Sequence, residues 1–361
     1  MPACFPRWNS RWIWLLGLLA LPWVLHELGN AWIRVANMAL LYTMLAVGLN
    51  IVAGFAGLLD LGYIAFFAIG AYTQALLASP HLPQSLVGLA TLFPDGLHTP
   101  WWVVLPLSFV LAGGMGVLLG APTLRLRGDY LAIVTLGFGE IVRIFLNNLD
   151  HPVNLTNGPR GIANIDNLSI LGHDLGQPLH ILGLTVPPLT QYFYLLGIVV
   201  LLCLVLSRRL LASRIGRAWV AIREDELAAQ SVGIDTRALK LLAFAVGASL
   251  GGVSGALFAA LQGFVSPESF TLMESVMIVA MVVFGGIGHL PGVVLGAVVL
   301  SALPEALRHL AGPLQQMTNG HLDASILRQL LVSLAMVLVM LLRPHGLWPT
   351  PSSRAIALEE R

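Results

Sequence analysis

The sequence predicts an all-α polytopic membrane protein with about ten transmembrane helices, some of them interrupted by glycine. Of its 361 residues, 57% are hydrophobic and only 10% are charged, whereas soluble domains are about 25% charged. The mean hydropathy is +0.82, and apolar runs long enough to cross a bilayer recur along the chain. These values exclude an ordinary soluble domain, and a net charge of +1 gives no indication of a nucleic-acid partner.

Ten apolar runs are candidate spans. The first follows Arg7 and Arg11 and has some features of a signal peptide, but no small-x-small cleavage site follows it, so we interpret it as an uncleaved span. The ten candidates are 12–28, 33–53, 58–78, 101–121, 130–149, 190–206, 240–262, 272–287, 290–309 and 326–342.

Basic residues give the orientation, because Lys and Arg collect on the cytoplasmic side of a membrane. With the N-terminus inside, the predicted inner segments hold 14 of the 19 basic residues, and seven of those lie in 207–240. The long predicted outer loop 79–100 holds no basic residue, and loop 150–189 holds only Arg160. We therefore expect both termini to be cytoplasmic.

Two glycine-rich stretches, 55–72 and 284–299, interrupt apolar runs in the two halves of the chain. Interrupted helices at corresponding places are typical of transport sites, because the freed N–H and C=O groups can line a polar cavity. Close helix packing is the alternative. It is the preferred interpretation for Gly247, Gly251 and Gly255, whose four-residue spacing lets helix backbones approach.

The ionisable and amide residues within the spans are candidates for the substrate pathway. A charge inside a span costs about 2.5–3.5 kcal/mol on insertion scales, so it faces the bundle interior or a cavity. Glu140 and Arg143 are three residues apart and can form an ion pair, grip a zwitterionic substrate or act as a gate. Asp60 can cap the third span or contact substrate. Asn50 can bond across helices or contact substrate.

The segment 207–240 carries seven of the 19 basic and four of the 18 acidic residues. Three of its apolar residues recur at helical spacing and predict one face of a short helix. Gly233 is predicted to end a second helical segment over 226–232. Such an element is typical of a docking surface, although a solvated charged loop in contact with lipid headgroups is also consistent with it. The three apolar residues that predict the face of the first short helix are Ile215, Trp219 and Ile222.

Other kinds of site find little support. Cys4 and Cys203 define neither a disulfide frame nor a metal spacing, and no metal site is predicted. A P-loop is excluded because the one lysine, Lys240, does not follow the required glycine pattern. A secondary transporter would need a relay of several ionisable groups, and only Glu140 is central to a predicted span. A membrane-embedded enzyme would need a clustered catalytic set, which the spacing does not provide.

Several motifs carry a family resemblance. Leu227-Ala228-Ala229 followed by Gly233 is similar to the Glu-Ala-Ala-x-x-x-Gly core of the coupling loop of ABC importer permeases, with Leu227 replacing the leading Glu. Over about residues 35–348, the chain resembles M-type permeases of branched-chain amino acid ABC importers. Permeases for urea and short-chain amides belong to the same superfamily, and motifs separate them poorly. The longer motifs that carry the resemblance are 39–72, 124–148, 155–162 and 284–297.

The resemblance implies a permease subunit that is not an enzyme and that translocates Leu, Ile or Val by alternating access across a bacterial inner membrane. It implies as partners a second related permease, two ABC ATPase subunits, a periplasmic amino-acid-binding protein and membrane lipids. No cofactor is implied for this chain, because the partner subunits hydrolyse ATP. The implied domains are a first span over 1–34, a permease domain over 35–348 and a cytoplasmic tail over 349–361.

The candidate functional residues form two sets. In the substrate pathway, freed N–H groups at the break near 54–62 would meet the substrate carboxylate. Phe66 and Phe67, with neighbouring aliphatic residues, would accept its side chain. This set is Asn50, Gly57, Asp60, Gly62, Phe66, Glu140 and Arg143. The ATPase-coupling set is Ile215, Gly216, Arg217, Trp219, Ile222, Arg223, Glu224, Asp225, Ala228, Ala229 and Gly233.

Overall fold

A computed structural model describes most of the chain. The predicted spans 12–28 and 326–342 lie for the most part outside the described residues, and the tail 349–361 lies wholly outside them. Of the first span, 21–27 is described and helical. The described residues are 21–27, 29–85, 96–123, 129–170, 172–181, 184–317, 330, 333–334, 337, 341 and 347–348.

Helices make up most of the described chain. α1 continues directly into a π-helix over Asn50–Phe55, and short 3-10 turns occur at Gly158–Arg160 and Pro267–Ser269. The helices with described bounds are α1 (Asn30–Leu49), α2 (Ile64–Leu77), α3 (His81–Ser85), α4 (Trp101–Thr123), α5 (Asp129–Asn148), α6 (Pro188–Ala212), α7 (Arg214–Glu224), α8 (Glu226–Ser231), α9 (Thr236–Gln262), α10 (Leu272–Gly285) and α11 (Leu290–Met317).

In the described part of the chain, seven helices are long and apolar enough to cross a membrane, and they match seven of the predicted spans. The predicted span 58–78 is wrong in its first third, because only α2 is helical there. The chain between Phe55 and α2 is irregular, and Gly57 has φ +70°, a conformation that favours glycine. The total of ten spans stays a prediction.

α1 and α9 form the centre of the bundle. The membrane-spanning windows of α1 and α9 are 78% and 67% buried, against 28% for α5, so α5 lies at the periphery. Glycines let the central helices approach closely: a Cβ on Gly70 of α2 would collide with the backbone carbonyl of Gly252 on α9, and one on Gly255 would collide with the carbonyl of Phe67. The packing interpretation of the α9 glycines is therefore confirmed.

Short strands depart from the predicted all-α class. Two of them, β1 (Ile162–Ala163) and β6 (Phe264–Val265), pair antiparallel and join the loop after α5 to the end of α9. Backbone groups in these connections need partners away from helices, and strand pairing supplies them. The remaining strands form two antiparallel pairs, β2 (Ser169–Ile170) with β3 (His173–Asp174) and β4 (Leu179–Ile181) with β5 (Leu184–Val186).

α9 extends from one end of the bundle to the other. Its 27 residues span about 40 Å at the usual helical rise. α7 and α8 precede its first residue, Thr236, and β6 and the turn Pro267–Ser269 follow its last residue, Gln262. The segment with α7 and α8 and the segment with Glu268 therefore lie at opposite ends of the bundle.

Candidate functional site

The charged segment folds as two short capped helices. The Ser213 side chain accepts a hydrogen bond from the Gly216 N–H at 3.4 Å and caps α7. Asp225 Oδ1 caps α8 by accepting from the N–H groups of Leu227 at 2.8 Å and Ala228 at 3.0 Å. Gly233, with φ +85°, lies just past the end of α8, as predicted. The segment between α6 and α9 is therefore shorter and more helical than the predicted loop 207–240.

The predicted apolar face of α7 is turned toward the chain itself. Trp219 is fully buried and Ile222 is buried, while Ile215 packs against the core. The indole Nε1 of Trp219 donates to the carbonyl of Leu239 at 2.7 Å and so links α7 to α9. The helical spacing of these residues correctly predicted the apolar face of α7. The bundle covers this face, so only the opposite side of α7 is open to a partner.

The opposite side of α7 and α8 is exposed and carries both apolar and charged side chains. Among its apolar residues, Val220 is 40%, Leu227 64% and Val232 75% exposed. Arg217, Glu224, Asp225 and Ala228 are exposed on the same two helices or the turn between them. This surface, which we call the docking face because a partner is predicted to bind there, holds four residues of the predicted ATPase-coupling set: Arg217, Glu224, Asp225 and Ala228. It also holds Val220, Leu227 and Val232, which that set did not include.

Two polar contacts fix α8 against α9. The Lys240 ammonium lies 2.6 Å from the Glu226 carboxylate, and both side chains are largely shielded from solvent. The Gln230 side chain donates to Thr236 Oγ1 at 3.0 Å. Ala229 is buried beneath them. These contacts hold α8 against a central helix of the bundle.

Arg223 joins α7 to both glycine-rich breaks. Its Nη1 donates to the carbonyl of Gly54 at 2.5 Å. A Cβ on Gly57 would lie 2.7 Å from Arg223 Cγ, and one on Gly288 would lie 2.8 Å from Arg223 Nη1. The Gly288 N–H in turn donates to Asn50 Oδ1 at 2.8 Å. We call this group the arginine junction, and its members are Asn50, Gly54, Gly57, Arg223 and Gly288.

The sequence predicted Asn50 and Gly57 as substrate-pathway residues and Arg223 as an ATPase-coupling residue. It did not predict that they meet, or that Gly54 and Gly288 belong to the same site. The available signal was the glycine-rich character of both stretches. The π-helix over Asn50–Phe55 is part of the junction, and π-helical turns are rare and often occur at functional sites.

Side chains of α5 and α10 form hydrogen bonds with backbone groups of the irregular segment before α2. Asp60 is buried and its Oδ1 accepts from the Gly62 N–H at 2.9 Å. The Leu61 N–H donates to Thr135 Oγ1 at 3.1 Å, and the Leu61 carbonyl accepts from Ser275 Oγ at 2.5 Å. A Cβ on Gly62 would collide with the carbonyl of Thr135. The break is therefore a close-packed joint between α2, α5 and α10.

Phe66 and Asp60 lie inside packed regions. Phe66 is 1% exposed, and its ring centroid lies 5.9 Å from that of Tyr63 and 6.3 Å from that of Phe138. Neither of these predicted pathway residues lines either of the two cavities described for the chain. Their part in substrate passage stays a prediction.

Glu140 and Arg143 pair as their spacing predicted and acquire a third partner. Arg143 Nε lies 2.9 Å from Glu140 Oε2, and Arg143 Nη1 lies 3.8 Å from Glu268 Oε1. Together these residues line a cavity of about 510 Å³ between α5 and α10, whose other wall is apolar. Glu268 lies more than a hundred residues away along the chain, so no spacing argument could have found it. The rest of the lining is Thr271, Leu272, Met273 and Val276.

A second cavity of about 510 Å³ lies beside the start of α4. Its lining includes the His98–Asp166 pair, joined at 2.6 Å, and Gln74 near the end of α2. In the part of the chain that the structure describes, no group of three or more His, Cys, Asp or Glu side chains is arranged to hold a metal ion.

Comparison with known proteins gives one consistent result. The family model described as "Branched-chain amino acid transport system / permease component" matches residues 31–341. The chain is 41% identical over 345 residues to the high-affinity branched-chain amino acid transport system permease protein LivM of Escherichia coli (strain K12), which covers 92% of this chain and 73% of that protein. No solved structure matches.

More distant relatives include a second type of permease. The chain is 24% identical over 316 residues to the permease protein LivH of Escherichia coli (strain K12), covering 86% of this chain and 92% of that protein. It is 25% identical over 252 residues to the probable branched-chain amino acid transport permease protein LivM of Methanocaldococcus jannaschii, covering 68% of each chain. With its apolar helices and this match, the chain belongs to the family of permease components of branched-chain amino acid transport systems and is a multi-pass membrane protein.

Proposed function

We propose that this chain is one permease subunit of an ATP-driven importer that moves Leu, Ile or Val across the bacterial inner membrane by alternating access. Membership of the permease family and the name of the relative that is 41% identical support this substrate class over urea or short-chain amides. The family match over 31–341 supports one permease domain over about 35–348. The distribution of basic residues supports cytoplasmic termini.

The proposal requires partners that supply energy and complete the pathway. Since the sequence has no P-loop, ATP is hydrolysed by two ABC ATPase subunits. The similarity to LivH supports a second, related permease beside this one. A periplasmic amino-acid-binding protein would deliver the substrate at the end of the bundle opposite α7 and α8. In this assignment the chain is not an enzyme and binds no cofactor.

The observation that carries the coupling mechanism is the arginine junction. In our proposal the ATPase subunits bind the docking face, and their movement displaces α7. Arg223 transmits that displacement to Gly54, and through the neighbouring Gly288 it reaches the turn between α10 and α11. Both glycine-rich breaks then move with α7. The Trp219–Leu239 and Lys240–Glu226 contacts carry the same movement to α9.

The irregular segment before α2 has a defined role in this proposal. Asp60 and Gly62 hold the start of α2 in place, and Phe66 belongs to the first turn of that helix. When the arginine junction moves, the close-packed joint with α5 and α10 opens, and the freed backbone groups can meet the substrate.

Placing a charge on the docking face should detach the ATPase subunits. We expect Leu227→Asp to weaken ATPase binding by about 2 kcal/mol, or about thirtyfold in Kd, because an exposed apolar contact becomes a desolvated carboxylate. The measurement is co-purification of the ATPase subunits with the tagged chain in mild detergent, together with leucine uptake. Retention of full ATPase binding by this variant and by Val220→Asp would contradict the assignment of the docking face.

The matched control is Val153→Asp. Val153 is also an exposed apolar residue, at 41%, but it follows the end of α5 at the opposite end of the bundle. We expect this variant to retain its ATPase subunits. Equal loss of the ATPase subunits from Leu227→Asp and Val153→Asp would indicate general damage to the bundle.

A further inference from the structure

We propose that the cavity between α5 and α10 is a binding site for a zwitterionic α-amino acid with an aliphatic side chain. The inference rests on the proposed import function and names the place where the chain itself holds its substrate. The cavity has a volume of about 510 Å³, within the usual range of small-molecule sites, about 300–1,000 Å³. It combines a charged wall and an apolar wall, as an amino acid of this class requires.

The charged wall suits both ends of a zwitterion. The Arg143 guanidinium has a planar set of five N–H donors, of which Nε and Nη1 meet Glu140 and Glu268. The remaining donors can hold a carboxylate in two parallel hydrogen bonds. Two carboxylates and one guanidinium leave a local charge of about −1, which attracts the substrate ammonium. Glu268, which is 64% exposed, is the more accessible carboxylate for that contact.

The apolar wall suits a branched side chain. Leu272, Met273 and Val276 line the cavity from the first turns of α10. All three are partly exposed, at 36%, 63% and 45%, so their surfaces are available to a ligand. Met273 has the largest exposed fraction, and an unbranched thioether adapts to side chains of different shape.

The exposed position of the charged wall indicates that the site is shared with the second permease. Arg143 lies five residues before α5 ends, about 8 Å along the helix axis. The side chains of Arg143 and Glu140 are 27% and 32% exposed on the isolated chain. Lipid tails cannot solvate charges, so this side must face a polar space. In a pair of permeases that space is the pathway between them, at the end of the bundle opposite α7 and α8.

The first test separates a binding role from an internal ion pair. We expect Arg143→Gln to lower leucine uptake by about tenfold or more, because the charged contact to the carboxylate is lost. The double variant Glu140→Gln/Arg143→Gln removes both charges and leaves no unpaired carboxylate from the helix pair. If the pair serves only to stabilise the bundle, uptake recovers in the double variant, which overturns the proposal. If Arg143 binds substrate, uptake stays low.

The second test addresses the apolar wall. Met273→Phe narrows the cavity, so we expect the ratio of leucine to valine uptake to fall about tenfold. Equal effects on both substrates would overturn the proposal. If the Arg143 variants fail to assemble with their partners, the ratio of leucine to valine uptake in Met273→Phe decides whether the cavity binds substrate. The matched control is Val298→Phe on α11, an exposed residue that does not line the cavity, for which the ratio should stay constant.

Both tests use the complete complex of this chain with its partner permease, ATPase subunits and binding protein in liposomes that contain ATP. The readouts are uptake of labelled leucine and valine, ATP hydrolysis and co-purification of the subunits. Failure of the wild-type complex to import either substrate would refute the proposed function. Normal import by the wild type with unchanged import by every variant would refute only the binding site.

Discussion

Arg223→Ala is expected to uncouple ATP hydrolysis from transport. The truncation removes the Nη1 donor that contacts the Gly54 carbonyl at 2.5 Å and so breaks the link between α7 and the π-helix. The variant should fold, because the Arg223 side chain is 36% exposed and water can hydrate the freed carbonyl. Coupling between sites is typically worth about 1–3 kcal/mol, so we expect uptake to fall by about tenfold.

The measurement is leucine uptake per ATP hydrolysed in the complete complex, with co-purification of the ATPase subunits as the assembly readout. Arg209→Ala is the matched control, since Arg209 is an exposed arginine in the last turn of α6, outside the arginine junction. Arg223→Lys retains a charged donor and should restore part of the uptake. The coupling role is excluded if Arg223→Ala imports normally, or if its loss of uptake equals its loss of ATPase subunits.

Gly70→Ala is expected to have the largest effect on stability. The new methyl group would meet the backbone carbonyl of Gly252, and a backbone cannot rotate away as a side chain can. The two helices must therefore separate, which costs about 3 kcal/mol when a well-packed interior is overfilled. The measurement is the unfolding midpoint of the purified chain in a mixed-detergent titration with SDS.

Gly114→Ala is the control for that variant. Gly114 lies within a helix, α4, and a Cβ there meets no atom within 4 Å. We expect its free energy of unfolding to stay the same or to rise by up to about 1 kcal/mol, because alanine has the higher helix propensity and its methyl group meets no obstacle. Equal destabilisation by the two substitutions would show that helix-interior glycines matter here for reasons other than the α2–α9 contact.

Local patterns predicted much of this protein. Apolar runs predicted seven of the helices that are long enough to span a membrane, because backbone groups in lipid must bond within their own helix. The spacing of Ile215, Trp219 and Ile222 predicted the buried face of α7, and Gly233 predicted the end of α8. Each of these predictions depends on residues within about two helical turns of one another. Over that distance helix geometry alone fixes which side chains share a face.

Contacts between distant segments could not be predicted in this way. Arg223 and Gly54 are 169 positions apart, and Glu268 joins Arg143 from another helix connection. The apolar face of α7 could equally have met a partner, and only the packing against α9 decides that it meets the bundle.

The amino-acid order was therefore sufficient for the membrane class, the positions of most helices and the family motifs, because hydrophobicity and helical periodicity act locally. The arginine junction, the close-packed joint before α2 and the two-walled cavity depend on how α1, α2, α5, α7 and α10 come together. Side-chain shape across helix interfaces decides such contacts, and no local pattern encodes which interface forms.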